Sequence, residues 1–294
     1  GLPVIHPTNR ARVQIQTPLD FLVVSDHAEY LGVITEIYQD RAHLEELGFW
    51  ATFKRWVRLS MASFMIDSGR AEKVFTFGLP KPAVGSGYDP VADPNGVMID
   101  PGYGDTRKIR NQVWADIVTA AERHNRPGIF TSLIGWEWTS TPTGANLHRV
   151  VITPDGADKA TQFLPFGSEI SQYPQDLWAW LAKAEERTGS RFMAIPHNSN
   201  LSKGYMFGEV TLEGKKITPD YAQTRMFYEP IVEVTQIKGD SESLPNSAND
   251  SFADFETYEH YLQAYSSTYS AKPGDYVRSA LKTGLSISAD IGIN

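Results

Sequence analysis

Five short apolar runs, at 21–24, 130–135, 149–153, 192–195 and 231–235, constrain this chain more than any other feature of its sequence. Runs of this length bounded by polar residues read as strands. Several are apolar throughout rather than alternating, the pattern of parallel strands buried on both faces. Between them, apolar residues recur at helical spacing. Tyr30, Leu31, Ile34, Ile37 and Tyr38 form one stripe, and Trp50, Phe53, Trp56, Val57, Met61, Phe64 and Met65 a second. Ile109, Val113, Ile117, Ala120 and Ala121 form a third, ending near Asn125 and Pro127. A fourth opens at Pro174, continues through Leu177, Trp178, Leu181 and Ala184, and is followed by Gly189. A last helix is expected over 276–285. The aromatic stripes are expected to be core. Alternating strands and helices predict an α/β fold with a parallel sheet, either open or closed into a barrel.

A length of 294 residues suits one large domain or two small ones, α/β barrels of this length often being a single domain, here 1–294, and 41% apolar residues supply a core. Residues 78–106 carry six Gly and five Pro with no clear period, and read as an insertion, either a solvated excursion or a substrate-covering loop. Residues 240–251 form a shorter polar loop. With 27 basic and 35 acidic residues, a net charge of −8 argues against a bulk nucleic-acid binder. It is compatible with a small anionic substrate where a metal supplies local positive charge. The absence of cysteine removes disulfides, thiolate catalysis and Cys-rich zinc sites. No run of 18 apolar residues is present to span a membrane.

Chemistry-bearing residues follow the strand candidates. The run at 21–24 leads into Ser25, Asp26 and His27, the run at 130–135 into Trp136 and Glu137, and the run at 192–195 into Pro196, His197 and Asn198. His148 opens the run at 149–153. Ligands of parallel α/β folds bind at the carboxyl ends of strands, so Asp, His, Glu and His converge on one edge. Imidazole and carboxylate donors suit zinc, manganese or iron. A carboxylate can bridge two metals in ester hydrolysis, with metal-activated water as nucleophile. Each residue also has a plainer reading. Asp26 or His27 could cap a helix, Glu137 could form an ion pair, and His148 and His197 could be ordinary polar residues. His6, His43, His124 and His260 lie away from strand ends and read as structural. Gly-x-Ser-x-Gly, phosphate-loop, dinucleotide and His-Glu-x-x-His motifs are absent.

The stretches PLDFLVVSDHAEYLG (18–32), IGWEWTSTPTGANLHRVVI (134–152), AIPHNSNLSKGYMF (194–207) and EPIVEVTQIKGDSES (229–243) resemble a large bacterial family catalogued as a domain of unknown function. That family is in turn similar to the PHP (polymerase and histidinol phosphatase) metal-dependent phosphoesterases. The resemblance covers nearly the whole chain. It implies a distorted seven-stranded β/α barrel with two or three divalent metals at its carboxyl end. It further implies that His27, Glu137, His148 and His197 are ligands, with Glu137 bridging and Asp26 a ligand or the partner of one. Asn146, Arg149, Asn198, Lys238 and Glu242 also lie in these stretches. Arg149 and Lys238 could hold an anionic group, or Arg149 could serve a structural ion pair.

The PHP pattern also has a His-x-His motif on the first strand and an Asp-x-His motif on the last, and neither occurs here. The expectation is a fragment of a longer protein, its barrel incomplete and its isolated metal affinity weak. The functional expectation is a metal-dependent hydrolase, first a phosphoesterase, with metal-bound hydroxide as nucleophile, Glu137, Arg149 and Asp26 at the reaction centre, and Asn146, Asn198 and Lys238 on substrate. The alternatives are an amidohydrolase- or sulfatase-like enzyme, or a non-catalytic ligand-binding domain. The resemblance also suggests a bacterial source and a periplasmic or extracellular location, and leaves the oligomeric state open.

Overall fold

A computed structural model describes residues 2–6, 8–39, 48–70, 99–100, 104–246, 253–258, 260–261, 264–268 and 270–293. Its centre is a four-stranded sheet of β1 (Phe21–Val23), β2 (Thr131–Trp138), β3 (Arg149–Thr153) and β4 (Met193–Pro196), in that spatial order. β1 pairs with β2 in parallel, Phe21 opposite Thr131. β2 and β3 are antiparallel, with Trp138 opposite Arg149, and β3 and β4 are antiparallel, with Arg149 opposite Pro196. The fold is therefore mixed α/β, and the all-parallel sheet expected from the apolar runs is corrected. Residues 139–148, which link β2 to β3, are fewer than the dozen or so that a parallel crossover requires.

Among the described residues, the helices longer than four residues are α1 (Val33–Tyr38), α2 (Phe49–Asp67), α3 (Arg107–His124), α4 (Pro174–Thr188), α5 (Pro219–Tyr228) and α6 (Val277–Ile291). α4 starts with Pro174 in its first turn, where no backbone donor is needed. It stops at Gly189, whose φ of +69° is a left-handed cap that glycine reaches without steric penalty. α5 has no counterpart in the sequence expectations. Its signals are nonetheless local: Thr218 caps it by accepting from the Tyr221 amide at 3.2 Å, and Pro219 and Asp220 follow.

One face of the sheet carries the core. Ile134, Trp136 and Trp138 of β2, Val151 of β3 and Ala194 of β4 pack on Trp114 and Val118 of α3 and on Leu177, Trp178, Trp180 and Leu181 of α4. Trp136 meets Trp114, Trp180 and Phe192 edge to face at 5.8–5.9 Å, a favoured aromatic geometry. The indole N–H groups of Trp114, Trp136 and Trp138 donate to the carbonyls of Ala160, Phe166 and Ser171, so these rings are buried without orphaned donors. The opposite face, with Glu137, Val150, Ile152, Met193 and Ile195, is only half-buried.

Two further expectations are corrected. The run at 231–235 adds no strand to the sheet. Glu233 donates one bond to Pro196 O, and the chain then forms a two-residue hairpin, Thr235–Gln236 with Gly239–Asp240. Pro230 and Pro196 lack the N–H groups a longer ladder would use. The α2 stripe is not core among the described residues: Trp50 is 72% exposed, and Phe53, Trp56, Met61 and Phe64 are exposed as well. Helical periodicity gathers apolar residues on one side but does not say what that side meets. Most of the insertion at 78–106 lies outside the described residues, as do His43 and the end of the loop at 240–251.

Candidate metal centre

β1, β2 and β4 run in one direction and β3 in the other. The carboxyl ends of three strands and the start of the fourth therefore share an edge, and this is why His148, at the head of β3, meets residues at the tails of β2 and β4. Strand alternation turns Glu137 away from its neighbours Trp136 and Trp138, which enter the core. Its side chain is 14% exposed. Glu137 Oε1 lies 3.1 Å from His148 Nδ1 and 3.2 Å from His197 Nε2. The two imidazole rings stand 5.6 Å apart at 68°. One donor atom from each of the three residues falls within 4.8 Å of the others, so this mostly buried group is able to hold a metal ion.

His27 enters from the β1 side. Backbone bonds from Glu137 N to Asp26 O at 2.8 Å and from Ala28 N to Glu137 O at 2.9 Å clip the segment to the end of β2. His27 Nδ1 lies 3.6 Å from Glu137 Oε2 and contacts Thr139 Oγ1, and its side chain is 52% exposed. The two Glu137 oxygens thus face different partners, Oε1 the buried pair and Oε2 the half-exposed His27. The Asp26 side chain is exposed, and this residue joins the site through its backbone carbonyl.

Burial opposes ionisation of Glu137, but hydrogen bonding and charge interaction with His148 and His197 prevail and hold its carboxyl far below the ordinary range. Burial pushes His148 down to about 4, against the pull of Glu137, which keeps the ring neutral at physiological pH. His148 Nδ1 faces Glu137 Oε1, and its Nε2 is buried without a hydrogen-bond partner among the described residues. Buried polar atoms of this kind are normally satisfied. A neutral imidazole with an orphaned nitrogen beside an ionised carboxylate and a second imidazole is a donor set that suits a divalent cation. His197 Nδ1 faces Ile195 O at 3.4 Å, which leaves Nε2 to point at the centre.

The structure places several expected substrate residues elsewhere. Arg149 is 1% exposed and lies on the core face of the sheet. Its Nε bonds to Glu229 Oε1 at 2.9 Å, its Nη1 to Leu147 O at 2.7 Å, and its guanidinium stacks on Trp138. Of the two readings of Arg149, the geometry shows the ion pair, because the residue next to His148 in a strand points the opposite way. Asn146 and Asn198 are also fully buried and bond to each other at 3.0 Å. Lys238 offers its carbonyl to Asn200 Nδ2 at 2.9 Å. Glu242 pairs with Arg278 at the surface.

Sequence reasoning missed Glu29, Thr139, Glu229 and Glu233. Glu29 Oε1 accepts from Thr139 N at 2.9 Å and from Ser168 N at 2.7 Å, bracing the residue that touches His27. Glu233 Oε2 accepts from Asn198 N at 3.1 Å, directly after His197. All four lie within or beside the stretches quoted above, but their partners are distant in sequence and left no periodic signal.

A family model described as "Protein of unknown function (DUF3604)" matches residues 1–294. No curated protein and no solved structure matches the chain.

Proposed function

Starting from a chain that belongs to the DUF3604 family of unknown function, we propose that it is a metal-dependent hydrolase, first a phosphoesterase. The observation that carries this reading is the Glu137 carboxylate, with one oxygen toward His148 and His197 and the other toward His27. A carboxylate so placed suits a bridge between two divalent cations, zinc, manganese or iron. His148 and His197 would complete one site and His27 would serve the other. When bound, such cations act as Lewis acids and lower the pKa of coordinated water. The chain itself contributes a neutral His148, an ionised Glu137 and a half-exposed His27 on the side from which a small substrate can arrive. The reading allies the family with the PHP phosphoesterases and takes the mixed sheet as one arc of their distorted barrel.

A second reading, amide or sulfate-ester hydrolysis, is favoured by the engagement of Arg149 with Glu229, which removes the cation expected to select a phosphate. Metal content by elemental analysis, after loading with zinc or manganese and removing excess, is expected to show metal retained by the Glu137, His148 and His197 group. A panel of phosphate, sulfate and amide substrates then separates the bond classes. Metal-free protein after loading, in both this chain and any longer form, would overturn the proposal.

A further inference from the structure

The β3–β4 ladder ends at Arg149 and Pro196, and proline has no N–H to extend it. The next pair is His148 and His197, joined by a single long backbone bond of 3.3 Å from His197 N to His148 O. Left there, the two imidazoles would sit on a fraying end. Beyond them the chains are tied again by side chains: Asn146 Nδ2 donates to Asn198 Oδ1 at 3.0 Å. The histidines are therefore bracketed by the ladder on one side and a buried amide pair on the other.

Asn198 is the hub of this closure. Its φ of +57° turns the chain sharply after His197, and asparagine is among the few residues other than glycine that visit this region readily. Its amide N donates to Glu233 Oε2, and its Nδ2 donates to Asn200 Oδ1 at 3.0 Å. Asn200 is fixed in turn by Ser241 Oγ at 3.1 Å and by Lys238 O. On the other arm, Asn146 N donates to Leu201 O at 3.0 Å. The Asn146 Oδ1 atom is buried with no hydrogen-bond partner among the described residues, so its side chain is committed to Asn198 through the nitrogen.

We infer that Asn146 and Asn198 form a positioning clamp that sets the spacing of His148 and His197, and that neither touches substrate. This role presupposes the metal centre proposed above. Removing the outer partners of metal-binding histidines lowers metal affinity by about 10–100-fold.

The test uses Asn146→Ala, which leaves the backbone conformation unforced, and Asn198→Gly, which keeps the left-handed turn but removes the side chain. Co2+ is titrated into each purified full chain, with its visible absorption as readout and far-UV circular dichroism as a check on folding. The histidine ring signals of the metal-free proteins are recorded in parallel by long-range 15N–1H correlation. The expected result is Co2+ binding weakened about 10–100-fold in both variants, altered cobalt band intensities, and shifted or broadened ring signals of His148 and His197 while the fold is retained. Wild-type cobalt affinity together with unmoved ring signals in either folded variant would overturn the clamp. If the unaltered chain takes up no cobalt, the metal reading falls, and the ring signals alone decide the clamp.

Discussion

Glu137 sits between two tryptophans in the sequence, and strand alternation alone separates it from both. Trp136 and Trp138 enter the core, while Glu137 meets His148 and His197. Replacing it by glutamine keeps the shape and removes the charge. Glu137→Gln is expected to lower metal affinity at least as much as loss of an outer partner, about 10–100-fold, with the fold intact by circular dichroism. Isothermal titration with Zn2+ checks this, and an unchanged affinity would remove Glu137 from the ligand set. Arg149 is one residue from His148, yet its partners are structural. Arg149→Met leaves Glu229 buried with Arg225 as its remaining cation, at 3.1 Å. The expected loss is about 3 kcal/mol in denaturant unfolding, with metal content unchanged. A variant of full stability with weakened substrate binding would restore the substrate role.

At the scale of elements, β2 organises the site because it is the strand with neighbours on both edges that also carries Glu137. Gly135 is what lets those neighbours approach: a Cβ there would fall 2.6 Å from Val151 O and 2.7 Å from Val23 Cγ2. Gly135→Ala is expected to destabilise by about 1–3 kcal/mol through overpacking and to lower metal affinity, since the strain lies two residues from Glu137. Chemical denaturation and metal titration of the same variant read both effects, and neutrality in both would show that the sheet yields freely at this point. α3 and α4 hold β2 from behind through their tryptophans. Their apolar stripes were legible as helix because the 3.6-residue period is a local property. α5 was announced by Thr218 and Pro219 at its start but carries a weaker stripe, so periodicity alone passed over it.

For the whole molecule, Glu169, Glu29 and Arg110 form a cluster of buried charges. Arg110 Nη2 lies 3.1 Å from Glu169 Oε1, with both side chains buried. Burial raises the Glu169 carboxyl to about 7; Arg110 opposes the shift and Glu29 adds to it. The unfolded chain would titrate this group near its ordinary 4.5. Between those values the folded state holds the extra proton. The associated stability is full below the unfolded pKa and is lost as pH rises through about 7. Denaturant unfolding from about pH 5 to about pH 8 is expected to show falling stability, with a flatter profile for Glu169→Gln. Identical slopes in the two proteins would show that Glu169 does not titrate in this window. Among the described residues no helix is long and apolar enough to cross a membrane.

The amino-acid sequence by itself determined the properties that depend on near neighbours. The mixture of strands and helices, the limits of α4 between Pro174 and Gly189, and the placing of Asp, His, Glu and His types at strand ends were all legible from period, capping and residue chemistry. Tertiary structure alone decided strand direction, and so brought His148 to the edge that carries Glu137 and His197 from the head of a strand rather than the tail of one. It also decided that Arg149 meets Glu229, that Asn146 and Asn198 meet each other, and that the α2 stripe stays exposed while the stripes of α3 and α4 are covered. The physical reason is common to all of these. Each depends on contacts between segments far apart in the chain, whose energies outweigh local preference and leave no mark in the local pattern.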